Sequence, residues 1–362
     1  MDYKLLAALS VICLLPDAIQ AETPQYKSGD IVVSRASADE PLRKEFSLAA
    51  AKEYLSKGNQ AWTEKHKCVA CHTNGTFMQL APSLGKMFGE QVGAQRDFFV
   101  QEATKLKNAS HASIRSGFKP TSVAYVAHGL ATWDANNGSK LAVETQEALD
   151  LMLTVQSKDG SWGNAKCWPP FESNAYQGAT VAALALRTAP EYLKQLNDKQ
   201  KAKVGLLKKY LETTKPPHDY ARVLLLWVST KWGGLISDQR EKEIIKMILA
   251  HQQDDGGWSM RTFAAPEAWG DGSRANKLKG EPEYKHPPSD GHQTGLAVMV
   301  LRDAGIDADH SEIQAGLKWI KSSQRKSGRW WTRSLSTDGP HFITYSGTFY
   351  PLMALHKCGE AE

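Results

Sequence analysis

Gln156-Ser157-Lys158-Asp159-Gly160-Ser161-Trp162 sets the architecture of this chain, because its Gln, Gly and Trp recur at the same spacing in 252–258 and 324–330. Each copy follows apolar residues four, five and seven positions before the Gln. They are Met152, Leu151 and Leu149, then Ile248, Met247 and Ile245, then Ile320, Trp319 and Leu317. That spacing is one face of a helix. Each copy therefore predicts a helix end carrying Gln, a Gly able to take positive φ and stop the helix, and a Trp folding back onto it. The Gln amide is then placed to cap a neighbouring helix.

On the C-terminal side of each stop come a loop and a helix of small and apolar residues. Gly178 to Arg187 parallels Thr294 to Arg302, and similar helices are expected at 220–230 and 346–356. These are apolar nearly all round, whereas the segments at about 141–156, 198–213, 238–252 and 310–323 are amphipathic. Buried helices alternating with half-exposed ones predict an all-α fold of two concentric layers. No strand ladder is evident.

The three motifs and their helix pairs, covering about residues 120–358, resemble the Gln-Trp repeats of squalene and oxidosqualene cyclases. They also resemble the α/α toroids of protein prenyltransferases. The resemblance implies a toroid with a central cavity lined by inner-helix ends and loops. It does not bring the chemistry with it. The Asp-x-Asp-Asp acid of class II cyclases and the Asp-Asp-x-x-Asp of ionising synthases have no counterpart here. Cys167 and Cys358 lack the prenyltransferase zinc context.

A second motif is Cys68-Val69-Ala70-Cys71-His72. Two thiols and an adjacent imidazole at this spacing attach one covalent haem c, with His72 as the proximal iron ligand. The stretch Thr73 to Gly85 resembles the segment C-terminal to the haem motif in class I cytochromes c. That resemblance, over about residues 62–110, implies a carbonyl near Pro82 orienting His72. The family's Met-Pro pair is missing, so the sixth position is open or filled by Met78, Met87, His66, His111 or His128. The helix from Phe46 to Lys65 looks like an outer helix whose Gln-Gly-Trp turn is replaced by this motif.

The N-terminus has Lys4, an apolar stretch from Leu5 to Leu15, and a segment ending at Ala21, which reads as a signal peptide and predicts a periplasmic or secreted protein. The expected divisions are a signal peptide at 1–21, a flexible segment at 22–42, a cytochrome c-like haem-binding region at 43–118 and a toroid at 119–362. The last two are readable as one continuous ring. Leftover Cys167 and Cys358 allow a disulfide in an oxidising compartment.

Forty-four Lys and Arg against 39 Asp and Glu give a formal charge of +5, with no basic run suited to a phosphate backbone, so nucleic acid is not an expected partner. No apolar segment is long enough to span a bilayer. Eleven Trp against ten Phe point to a repeated role for the indole.

Asp290 and His292, before one inner helix, and His341 and Tyr345, before another, form a candidate polar site over the cavity. Helix capping is the alternative. The long connection 256–290, with Trp269, is placed to cover such a cavity. The function expected from these readings is an exported c-type haem protein on a toroid scaffold, with electron transfer or haem-linked redox activity and a redox partner protein. The alternatives are non-enzymatic binding or sensing of an isoprenoid-like or other apolar small molecule, and a divergent terpenoid cyclase-like enzyme.

Overall fold

The computed structural model describes residues 23–138, 140–163, 174–336 and 339–361. A short antiparallel hairpin, β1 (Tyr26–Ser28) and β2 (Ile31–Val33), precedes the helices and pairs Tyr26 with Val33. The first helices are α1 (Leu48–His66), α2 (Asn74–Leu80), α3 (Glu90–Asn108), α4 (His111–Ile114) and α5 (Lys119–Asn136). Next come α6 (Val143–Thr154), α7 (Ala175–Thr188), α8 (Pro190–Lys194), α9 (Asp198–Thr213) and α10 (Asp219–Trp232). The chain ends with α11 (Asp238–Ala250), α12 (Ala275–Lys279), α13 (Gly291–Asp303), α14 (Ser311–Ser322) and α15 (Ile343–Lys357).

Burial sorts these elements into two layers. In α7 every residue from Tyr176 to Leu186 is buried, and in α13 every residue from Gly291 to Leu301. In α11 only Ile244 and Ile248 are buried, and in α9 only Leu207 and Leu211. The inner helices α2, α5, α7, α10, α13 and α15 contact one another in that order, and α15 returns to α2, so the inner layer is a closed ring. Polar residues on the outer helices stay in water while one stripe packs inward, as the amphipathic pattern requires.

The three repeats account for how neighbouring outer helices are joined. Gly160, Gly256 and Gly328 have φ of 95°, 85° and 95°. Trp162, Trp258 and Trp330 are fully buried and donate their indole N–H back to the carbonyls of Met152, Ile248 and Ile320, at 2.9, 2.7 and 2.7 Å. Each Gln amide reaches the next outer helix. Gln156 donates to the Lys203 carbonyl, Gln252 to Glu312 and Gln324 to Ser47. The third bond crosses 277 residues of sequence and ties the last repeat to the first helix.

Two differences from the sequence reading are plain. The hairpin is a strand ladder that the sequence did not reveal, being only three residues a side. The segment around it is also bound rather than flexible. Gln25 donates to the His341 carbonyl, Tyr26 packs edge-on against Tyr345, and Arg329 donates to the carbonyls of Ser34 and Arg35. Long-range partners hold the segment, and local sequence does not display them. Residues 1–22, where the signal peptide is expected, lie outside the described residues, as does Cys167 of the expected disulfide; Cys358 is half-buried. No helix among the described residues is long and apolar enough to cross a membrane.

Candidate functional site

The first turns of α10, α13 and α15 meet inside the ring. His292 lies between them, fully buried, with Nε2 3.1 Å from the Tyr220 hydroxyl and Nδ1 2.7 Å from the Ser346 hydroxyl. Ser346 donates onward to the Ile343 carbonyl at 2.9 Å, which leaves its oxygen to accept from His292 Nδ1–H. The other ring nitrogen then accepts from the Tyr220 hydroxyl. Burial pushes the His292 imidazole down to about 3, so it is neutral near pH 7, and the same burial holds Tyr220 well above the usual phenol range.

Aromatic rings surround this chain of bonds. The Tyr350 ring sits edge-on to His292 at 4.9 Å. Trp269, from the long 256–290 connection, is buried 6.0 Å from Tyr220 and 4.7 Å from His218, ring centre to ring centre. The site is thus neutral, apolar and fitted with one oriented hydroxyl–imidazole pair. An opening lined by Asn174, Gln177, His218, Tyr220 and Leu224 encloses about 10 Å³. That is room for a single water.

The four residues expected to share a polar site do not do so. Asp290 caps α13, accepting from Gln293 N–H at 2.9 Å and from Met260 N–H at 2.6 Å. Burial pushes its carboxyl up to about 6 against those bonds. Asp290 and His292 are linked through Thr332, whose hydroxyl donates to Asp290 at 3.3 Å and accepts the His292 backbone N–H at 3.0 Å. Tyr345 turns the other way and donates to the Leu55 carbonyl at 2.9 Å. His341 lies in the preceding turn against Trp331. Adjacency before two inner helices predicted proximity, but the helical rotation sends the side chains to different faces. The sequence reading missed Tyr220, Ser346 and Tyr350; their only signal was a polar or aromatic residue within the first two turns of an apolar helix.

The Cys68–His72 segment is the turn between α1 and α2. Asn74 braces it, accepting from Ala70 N–H at 2.8 Å and donating to the Cys68 carbonyl at 3.0 Å. His72 Nδ1 lies 2.9 Å from the Thr73 hydroxyl, which also meets the Tyr26 hydroxyl at 3.0 Å. Thr73, rather than a carbonyl near Pro82, is therefore the residue orienting His72. The imidazole is half-buried, with Phe342 stacked at 4.9 Å and Trp62 edge-on at 4.6 Å, and desolvation pushes it down to about 4. Cys68 is exposed and Cys71 half-buried. His72 thus lies beside two aromatic rings, in the turn that also carries Cys68 and Cys71.

The expected sixth ligands sit in different parts of the chain. Met78 is buried within α2, Met87 packs on the core, His128 is buried in α5, and His111 is exposed beside Arg115. His66 is separated from His72 by Trp62, on which it stacks at 4.0 Å. Among the described residues no group of three or more His, Cys, Asp or Glu is placed to hold a metal ion.

Residues 235–360 match the squalene-hopene cyclase C-terminal domain family. The squalene–hopene cyclase of Zymomonas mobilis is 27% identical over 136 residues, which make up 36% of this chain and 17% of that relative. The match thus spans about a sixth of the relative's length. It overturns the expectation of a c-type haem protein acting in electron transfer or haem-linked redox chemistry, because the matched stretch supplies α13, α15, two of the three Gln-Trp turns, and His292, Ser346 and Tyr350. The C-terminal third of the chain is therefore similar to the cyclase scaffold, built here into an all-α ring.

Proposed function

We propose that the chain is a divergent terpenoid cyclase-like protein whose inner-ring site takes an apolar, isoprenoid-type ligand. The supporting observation is the Tyr220–His292–Ser346 chain, walled by Tyr350 and Trp269 and built largely from the cyclase-like stretch. A neutral imidazole and one phenol in an aromatic shell suit a hydrocarbon with few polar atoms. The aromatic faces also favour any positive charge that develops on it.

Asp290 acts here as a helix cap. Its oxygens are committed to two backbone N–H groups, so protonation of an alkene is not assigned to it. A ligand of this class needs several hundred Å³, far more than the opening of about 10 Å³ beside Tyr220. Entry therefore requires the connection carrying Trp269 to swing outward.

Binding of squalene to the purified chain in detergent, monitored by quenching of tryptophan fluorescence, tests this reading. Saturable binding that weakens about tenfold in Tyr220→Ala is expected. No binding, or equal binding by the variant, would sink it. Gas chromatography of the same mixtures shows whether a cyclised product forms.

A further inference from the structure

Resting on the isoprenoid reading of the inner-ring site, we propose that the opening beside Tyr220 seats one hydroxyl oxygen, and that the ligand is therefore an isoprenoid alcohol. The opening encloses about 10 Å³, room for one water-sized oxygen and no carbon chain.

Its lining supplies both halves of what a hydroxyl needs. His218 Nδ1 accepts the Ala221 N–H at 3.0 Å, so the neutral ring carries its proton on Nε2 and donates from there. Asn174 Oδ1 accepts the N–H groups of Tyr176 and Gln177 at 2.9 and 3.3 Å, which fixes the amide orientation and makes its NH2 end a donor. Gln177 donates from its own NH2 to the Tyr125 hydroxyl at 3.4 Å, and its Oε1 is an acceptor. Burial pushes the His218 imidazole down to about 4, so it is neutral near pH 7, and no carboxylate, lysine or arginine lines the opening. A diphosphate would find no countercharge there.

Tyr176 adds an independent sign of an occupant. It belongs to the same lining and is 3% exposed, and its hydroxyl has no hydrogen-bond partner among the described residues. A buried hydroxyl without a partner is costly, and polar groups enclosed to this degree are nearly always paired. An alcohol oxygen seated in the opening supplies that partner. Leu224, Trp269 and Tyr350 wall the rest of the site with carbon, which confines the polar end of a ligand to this one spot.

Fluorescence titration of the full chain with farnesol, farnesene and farnesyl diphosphate, each in the same detergent micelles, tests the seat. Farnesol is expected to bind about tenfold tighter than farnesene, as one or two net hydrogen bonds provide, and tighter than the diphosphate. In Tyr176→Phe and in His218→Asn the ratio of alcohol to hydrocarbon affinity should fall to about threefold or less. Phe keeps the ring of Tyr176 and Asn keeps the cap of α10, so unchanged thermal midpoints separate loss of the seat from loss of the fold. Farnesene binding as tightly as farnesol, tightest binding by the diphosphate, or a ratio unchanged in both variants would overturn the hydroxyl seat and leave the isoprenoid reading standing. Binding of none of the three overturns both.

Discussion

Single residues carry the joints of this ring, and the glycines of the repeat show how sharply. A Cβ on Gly328 would lie 2.2 Å from the Ala50 carbonyl oxygen, and φ there is 95°. Gly305 has a similar φ of 86° but no atom within 4 Å of such a Cβ. Gly305→Ala is therefore expected to cost only the left-handed backbone strain, about 1–2 kcal/mol. Gly328→Ala adds a backbone collision between the third repeat and α1, raising the cost to about 3 kcal/mol or more. Urea unfolding of the two variants measures the difference, and equal losses would mean that the close docking of repeat on helix is not what holds the joint. The Gly and its Trp partner were legible in the sequence because their chemistry is local. The collision partner was not, since Ala50 lies 278 residues away in the chain.

Among the elements, the N-terminal segment is fastened by one buried cation. The Arg329 guanidinium, with 2% of its side chain exposed, pairs with Glu40 at 2.7 Å and donates to the carbonyls of Ser34 and Arg35 at 2.8 and 2.7 Å. It also lies over the Tyr54 ring at 5.7 Å. Removing one partner of such a buried pair leaves the other uncompensated, so Arg329→Ala is expected to destabilise by about 3–5 kcal/mol. Limited proteolysis should then cut between residues 30 and 46 before any helix of the ring. Cleavage no faster than in the parent chain would show that the hairpin is held by something else. The helices themselves were largely readable. The structure runs α1 over Leu48–His66, α11 over Asp238–Ala250 and α14 over Ser311–Ser322, each within a few residues of its expected span. Amphipathic periodicity marks such elements, whereas a three-residue strand carries too few positions to show any.

For the molecule as a whole, buried and half-buried histidines set the response to acid. Burial pushes His128 and His292 down to about 3, and His72 and His218 down to about 4. In the unfolded chain each takes a proton near pH 6.5. Between about pH 6.5 and 4 the unfolded state therefore binds more protons at these four positions, and stability falls as pH falls. Asp290, pushed up to about 6, acts in the opposite sense, since the folded state binds its proton first. Four groups against one leave a net loss with acid, at most about 4 kcal/mol per pH unit at its steepest. Urea midpoints measured at pH 7, 6 and 5 should decline progressively, with a shallower decline in His292→Gln. A flat profile would show that these imidazoles are not held neutral in the fold.

Helical character, the alternation of buried and half-buried helices, and the three Gln-Gly-Trp stops were all legible from sequence, because each depends on periodicity or on the local chemistry of one turn. Cys68, Cys71 and His72 were equally visible there, at a haem-attaching spacing. It took the folded chain to reveal that His72 is flanked by Trp62 and Phe342, the latter 270 residues away. Ring closure brings Gln324 to Ser47. The rotation of α13 and α15 carries His292 to Tyr220 and Ser346 while Asp290 and Tyr345 serve the scaffold. Side-chain direction in a helix follows its contacts on every flank, and those contacts come from parts of the chain that local sequence does not link.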